Sequence, residues 1–345
     1  SYSAATGDDR FDSRMDLNAD GAIDFADFLS FGSAYNGQFE PDPVASGFRI
    51  YVADYGEGAL TVLDTNSHLI TEHLTFRGPS SVRASSDGQT LYVSEGFGLF
   101  AMDTEHRAVF SVPTDSYGRI EMSPDERFIY LTQEQTDQLI VIDVAGQEIV
   151  DTVGVGDTPV DLEITPDGRR LYVANSDSRD VTVVDVPTMA AVGRIDLGSR
   201  PSQIGITPDG LTAYVTDLDR GVISVIDLRT NLVAGGIPVD GAFARGLTFS
   251  PDGKTLYVTS ERMLVAVDVG RNLVARTLEL GDDTSAIAIT PDGSRIYAGT
   301  LLFGKGGPGL SVMDVATWRV LGRIRGFLFP AEIEFVPMSV AGSAQ

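Results

Sequence analysis

From residue 48 onward the chain is built of short apolar runs, each bounded by Gly, Pro, Asp or Ser. One stretch shows the pattern: Pro-Ser-Gln-Ile-Gly-Ile-Thr (201–207), a Pro-Asp-Gly turn, Ala-Tyr-Val-Thr, then Val-Ile-Ser-Val-Ile-Asp (222–227) and Leu-Val-Ala-Gly-Gly-Ile (232–237). Runs this short, rich in β-branched residues and separated by turn formers, predict strands joined by hairpins. Within this array no long segment has a 3.6-residue apolar period, so helices are not expected there.

The pattern repeats. A Pro-Asp-Gly turn or a variant of it occurs at Ser86-Asp87-Gly88, Pro124-Asp125-Glu126, Pro166-Asp167-Gly168, Pro208-Asp209-Gly210, Pro251-Asp252-Gly253 and Pro291-Asp292-Gly293, spaced by 38 to 43 residues. A Tyr-led run starts at Tyr51, Tyr92, Tyr130, Tyr172, Tyr214, Tyr257 and Tyr297, and a later run closes at Asp64, Asp103, Asp143, Asp185, Asp227, Asp268 and Asp314. Both series number seven. Four strands in a repeat of about 40 to 45 residues is the period of a β-propeller blade, so residues 48–345 are expected to form an all-β, seven-bladed propeller. The first unit has only three strands, and Pro330 to Val336 matches the missing one. Pairing of that segment with Phe48 to Asp54 would close the ring and leave no unpaired inner edge. The recurring Pro-Asp-Gly and strand-end Asp residues supply turn dihedrals and Asx hydrogen bonds, and residues present in every blade do not mark one site.

The motifs Leu171-Tyr-Val-Ala-Asn175 with Val183-Val-Asp185, and Ala-Tyr-Val before Thr216-Asp217, resemble the YVTN family of seven-bladed propellers over about residues 48 to 337. The sequence departs from that cadence at Ser86 and Glu126, and in the long Gly-rich loop from Leu301 to Gly309. The resemblance implies a fold and not one activity, since the family includes periplasmic and surface-layer binding proteins.

Ahead of the array, Asp16-Leu-Asn18-Ala-Asp20-Gly21-Ala22-Ile23-Asp24-Phe-Ala-Asp27 has the oxygen spacing of an EF-hand loop. Asp16, Asn18, Asp20, the carbonyl of Ala22, Asp24 and Asp27 are the expected ligands, with Gly21 at the sharp turn. A hard cation takes six to eight such oxygens, so calcium is the expected cofactor. Asp at the last position, and a helix predicted only after the loop (Phe25 to Tyr35), resemble one half of a dockerin repeat. Residues 1–38 are thus read as a small EF-hand-like helix-loop module and 39–47 as a linker.

The charge is uneven, with 49 acidic against 25 basic residues and a formal net charge of -24. Such a surface repels nucleic acid and anionic membranes, while cations and basic groups suit it. No apolar run reaches the roughly 18 residues that cross a bilayer. The absence of cysteine removes disulfides and thiolate chemistry. The three histidines, His68, His73 and His106, fall near the third and fourth strands of the first two blades. That is away from the end where propeller ligands gather.

That end is the mouth of the channel, built from the loops that follow each second strand and those that enter each first strand. The residues there that differ between blades are the expected ligand contacts: Asp54, Arg77, Glu95, Tyr117, Asn175, Arg200, Asp217 and Arg245. No nucleophile elbow, phosphate loop or zinc motif appears. The sequence therefore reads as a monomeric, calcium-binding propeller outside the cytoplasm, secreted, periplasmic or on the cell surface, that binds a protein, glycan or small polar ligand. The alternative is a metal-dependent hydrolase or lactonase using Asp54, Glu95, Asn175 and Asp217 around a channel cation.

Overall fold

The computed structural model of the chain describes residues 48–337, apart from 66, 115–116, 240, 242 and 302–306, together with 4–5 and 22–23. Residues 48–337 form seven four-stranded antiparallel sheets. The innermost strands, in ring order, are Pro330–Pro337, Ser81–Ala84, Ile120–Met122, Pro159–Ile164, Pro201–Ile206, Ala244–Phe249 and Thr284–Ile289, for blades 1 to 7. Each neighbours the next around the circle, which makes the sheets the blades of a closed propeller. Among the described residues there is no α-helix, and the one 3-10 turn is Val186–Thr188.

Blade 1 is composite. Phe48–Asp54 pairs with Pro330–Pro337 on one side and with Ala59–Asp64 on the other, in the register Phe48↔Pro337 through Asp54↔Pro330. The strand missing from the first sequence unit is thus supplied by the end of the array, and the ring is fastened by backbone hydrogen bonds between its two ends.

Strand position in the blade decides burial. Second strands such as Arg170–Asn175 lie between two neighbouring blades and are buried at five of six residues. Outer strands such as Leu232–Pro238 face solvent at six of seven. The core is correspondingly divided: one cluster joins Tyr172, Val183 and Ile195 of blade 4 to Ile204, Ala213 and Ile226 of blade 5. Another joins Tyr297 and Leu310 of blade 7 to Ile50 and Leu63 of blade 1. In every blade the third and fourth strands shift register by a bulge, as at Val183/Val184 and Val225/Ile226, which adds the twist that lets flat faces pack as a ring.

The repeated turn has one chemistry in six blades. The hydroxyl of Ser85, Ser123, Thr165, Thr207, Ser250 or Thr290 donates to the Asp two residues on, at 2.6 to 2.7 Å. The residue after Asp has positive φ, Gly in five cases and Glu126 (φ 56°) in the third blade.

Of the expected calcium loop, only Ala22 and Ile23 are described; they pair antiparallel with Ala4–Ala5. Asp16, Asn18, Asp20, Asp24 and Asp27, and the helix expected over 25–35, lie outside the described residues, so the structure supports the propeller part of the expected fold class and not the helix-loop part. No helix among the described residues is long and apolar enough to cross a membrane.

Candidate site at the channel mouth

The inner strand of each blade has one edge with no strand to pair with, so its N–H groups need other acceptors. Side chains of the neighbouring inner strand supply them. Glu332 of blade 1 accepts from Val82 N at 2.9 Å, and Glu334 from Ala84 N at 3.1 Å. Asp161 of blade 4 accepts from Ile204 N, and Gln203 of blade 5 from Leu247 N. The channel is therefore lined with polar groups because the architecture leaves donors there.

Carboxyl groups outnumber guanidinia here. Glu121, Asp161, Glu163, Glu332 and Glu334 share the channel with the guanidinia of Arg83 and Arg119. Arg83 bridges Glu332 and Glu121, the latter at 3.3 Å. Arg119 lies 3.2 Å from Glu332 and 4.0 Å from Asp161. Burial pushes all five carboxyls up, but at Glu332 the two arginines, with the hydroxyl of Ser81 and the N–H of Val82, outweigh it and hold that group below the ordinary range. The others go up: Asp161 to about 6 and Glu334 to about 7, chiefly by burial against the pull of the arginines. Glu163 rises well above the ordinary range, through burial and then the charge of Glu121.

Above this floor the channel opens into a cavity of about 620 Å³. Tyr55, Tyr117 and Phe329 form its aromatic wall: the Tyr55 and Tyr117 rings are 5.6 Å apart with hydroxyls 3.4 Å from each other, and Phe329 stands 6.4 Å from Tyr55. The hydrogen bond with Tyr55, then burial, pushes the Tyr117 phenol up to about 12, so that ring stays neutral. Gly118 follows Tyr117 where a Cβ would come within 1.8 Å of the Thr132 carbonyl oxygen, so only glycine lets the chain turn there. Glu134, Arg119, Gln203, Arg245 and Ser285 also line it.

The residues expected at the mouth separate into two groups. Tyr117 and Arg245 line the cavity. The other six are engaged within the blades. Asp54 accepts from the N–H groups of Gly56, Glu57, Leu328 and Phe329 at 2.7 to 3.1 Å. Glu95 accepts from Arg77 N at 2.8 Å, and the Arg77 guanidinium covers the Phe97 ring at 5.3 Å. Asn175 donates to Val173 O, Asp180 and Thr182. Asp217 accepts from Asp219 N and Arg220 N, and Arg200 pairs with Asp219 at 2.9 Å. Among the described residues no group of three His, Asp or Glu side chains is arranged to hold a metal ion. The charged channel residues and Glu134 were not anticipated. Their signal is an acidic-apolar alternation in first strands, Asp161-Leu-Glu163 and Glu332-Ile-Glu334.

The comparisons agree on architecture. The family described as "Lactonase, 7-bladed beta-propeller" matches residues 104–196, from the end of blade 2 through blade 4. A search of curated proteins finds no match. Among solved structures, the chain is similar to a functionally unknown protein from Desulfotomaculum acetoxidans, with 16% identity and a TM-score of 0.73 over 85% of this chain and 99% of that one. It is also similar to hydrazine synthase of Kuenenia stuttgartiensis, with 20% identity and a TM-score of 0.67 over 76% and 96%. At these identities the likeness is one of fold, and the fold is the seven-bladed β-propeller.

Proposed function

We propose that this protein is a binding propeller, monomeric, calcium-stabilised and working outside the cytoplasm, that takes a small polar ligand bearing an anionic group into the channel mouth. The observation that carries the reading is Arg245. It is half-buried in the cavity wall, yet among the described residues its guanidinium has no hydrogen-bond or ion-pair partner. The other half-buried arginines, Arg49, Arg83, Arg119, Arg170, Arg295 and Arg323, all have one. A partly desolvated cation without a partner is costly, and an incoming carboxylate or phosphate offsets that cost. A cavity of about 620 Å³ lies in the usual range of small-molecule sites, roughly 300 to 1,000 Å³.

Calcium binding rests on the spacing of Asp16, Asn18, Asp20, Ala22, Asp24 and Asp27, and extracellular or periplasmic placement on that loop together with the YVTN-like cadence of the blades. Calorimetric titration with acetate, benzoate and phosphate as probe anions tests the site. At least one is expected to bind, and Arg245→Ala should weaken it by about ten- to a hundredfold with the melting temperature unchanged. Binding that is indifferent to Arg245 counts against the reading.

The match to lactonase propellers over residues 104–196 supports a second reading as a hydrolase. Steady acid release from γ- or δ-lactones, lost in Arg245→Ala, would favour it over simple binding.

A further inference from the structure

We infer that the mouth selects a zwitterion, a ligand with a carboxylate at one end and an ammonium group at the other, of the ω-amino acid or betaine class. This rests on the reading that a ligand occupies the mouth and is anchored by Arg245. The second anchor is Glu134, in the loop after the second strand of blade 3. It is half-buried, lines the same cavity, and has no hydrogen-bond or ion-pair partner among the described residues. Arg119 acts on it only at a distance and is itself held by Glu332 at 3.2 Å.

The cavity thus contains one unpaired cation and one unpaired anion, and they belong to blades 6 and 3. In a ring of seven, three blades apart is as far as two blades can be, so the two charges face each other across the mouth rather than neutralise each other. Their surroundings differ in the same sense. Tyr117 acts electrostatically with Glu134, and Tyr55 and Phe329 extend the same aromatic wall. Ring faces attract an ammonium or trimethylammonium group, and a carboxylate beside them supplies its counter-charge. Around Arg245 stand the neutral polar groups Gln203 and Ser285, which suit a carboxylate. Beneath both lies the floor of Arg83, Asp161, Glu163, Glu332 and Glu334.

The test is calorimetric titration of the full chain in calcium buffer with three probe series of matched length. These are ω-amino acids from glycine to 6-aminohexanoate, the corresponding carboxylates from acetate to hexanoate, and the corresponding alkylamines. One amino-acid length is expected to bind about tenfold or more tightly than both its carboxylate and its amine. Glu134→Gln should erase that preference, so that each amino acid binds no more tightly than its matched carboxylate. Arg245→Lys, which keeps the charge should Arg245→Ala fail to fold, should retain part of the zwitterion affinity. If a carboxylate binds as tightly as every ω-amino acid and still depends on Arg245, zwitterion selection is overturned while the mouth remains the site. An amine binding as tightly as the amino acids, or a preference unaltered by Glu134→Gln, overturns it as well. If no probe of any series binds, the mouth reading falls with it.

Discussion

The Tyr297 hydroxyl of blade 7 lies 3.3 Å from Nδ1 of His68 in blade 1. The junction between the ends of the array is therefore fastened by a side-chain contact in addition to strand pairing. The contact belongs to a series in which the second-strand Tyr of one blade meets the positive-φ residue in the third-to-fourth strand turn of the next. Tyr51 reaches His106 at 3.1 Å, Tyr172 reaches Asn231 at 2.8 Å, and Tyr214 reaches Asn272 at 2.5 Å. Among the described residues, blades 2, 3 and 6 show no such bond; in blade 3, Tyr130 packs with Met189, which offers no comparable acceptor, and the Tyr130 hydroxyl is buried without a partner.

Met189→Asn should therefore stabilise the protein. Asn tolerates the left-handed conformation of position 189 (φ 46°) better than Met and offers the acceptor that Tyr130 lacks. About 1 to 2 kcal/mol is expected. A double-mutant cycle with Tyr130→Phe by urea unfolding checks the mechanism: the Phe change should cost about 1 kcal/mol in the Asn background and almost nothing in the native one. Equal costs would show that the new side chain does not reach the hydroxyl.

The channel carboxyls make stability depend on pH in an unusual direction. Glu334 keeps its proton up to about 7 in the folded chain, because burial outweighs the pull of Arg83, while an unfolded Glu releases it near about 4.3. Between those values the folded state holds more protons than the unfolded state, so stability falls as pH rises and the penalty is complete above about 7. Asp161, at about 6, acts in the same sense. The surface aspartates Asp227 and Asp252, at about 2, titrate below this window. Glu334→Gln removes one penalty and keeps an acceptor for Ala84 N. It should match the native protein near pH 4.5 and exceed it by on the order of 2 kcal/mol at pH 8, as read from chemical unfolding. A variant less stable than the native chain at pH 8 would contradict this account.

Asp54 separates a structural from a chemical role. Its carboxylate holds four N–H groups that position Tyr55 and Phe329. Asp54→Ala should cost on the order of 3 kcal/mol of stability and weaken mouth ligands only as a consequence. Lost binding with an unchanged melting curve would instead place Asp54 against the ligand.

The strand count, the composite first blade and the turn chemistry are legible in the sequence because each follows from a repeat of fixed length. The mouth is only partly legible. Asp54, Glu95, Asn175 and Asp217 end second strands, and each makes hydrogen bonds to the chain segments around it. Tyr117 enters a first strand and Arg245 lies in one, so their side chains reach the cavity. The acidic floor requires knowing which face of a first strand looks inward, and a strand as short as Ile120–Met122 shows too few alternations to tell.

Calcium is expected to bind the loop of Asp16 to Asp27. Saturation at about 100 times the dissociation constant would raise stability by about 2.7 kcal/mol, and a chelator should reverse the gain. Titration of the double variant Asp16→Ala, Asp20→Ala should give no heat of binding, and heat equal to that of the native protein would exclude the loop.

The pairing of Phe48 with Pro337 fixes more than closure. From Phe48 the chain climbs through the blade to Asp54 and reaches the cavity at Tyr55, while Pro330, beside the cavity, leads down to Pro337. Phe48 and Pro337 therefore lie next to each other on the underside of the disc, on the face away from the mouth. A support coupled at Phe48 or Pro337 itself would sit on the face opposite Arg245.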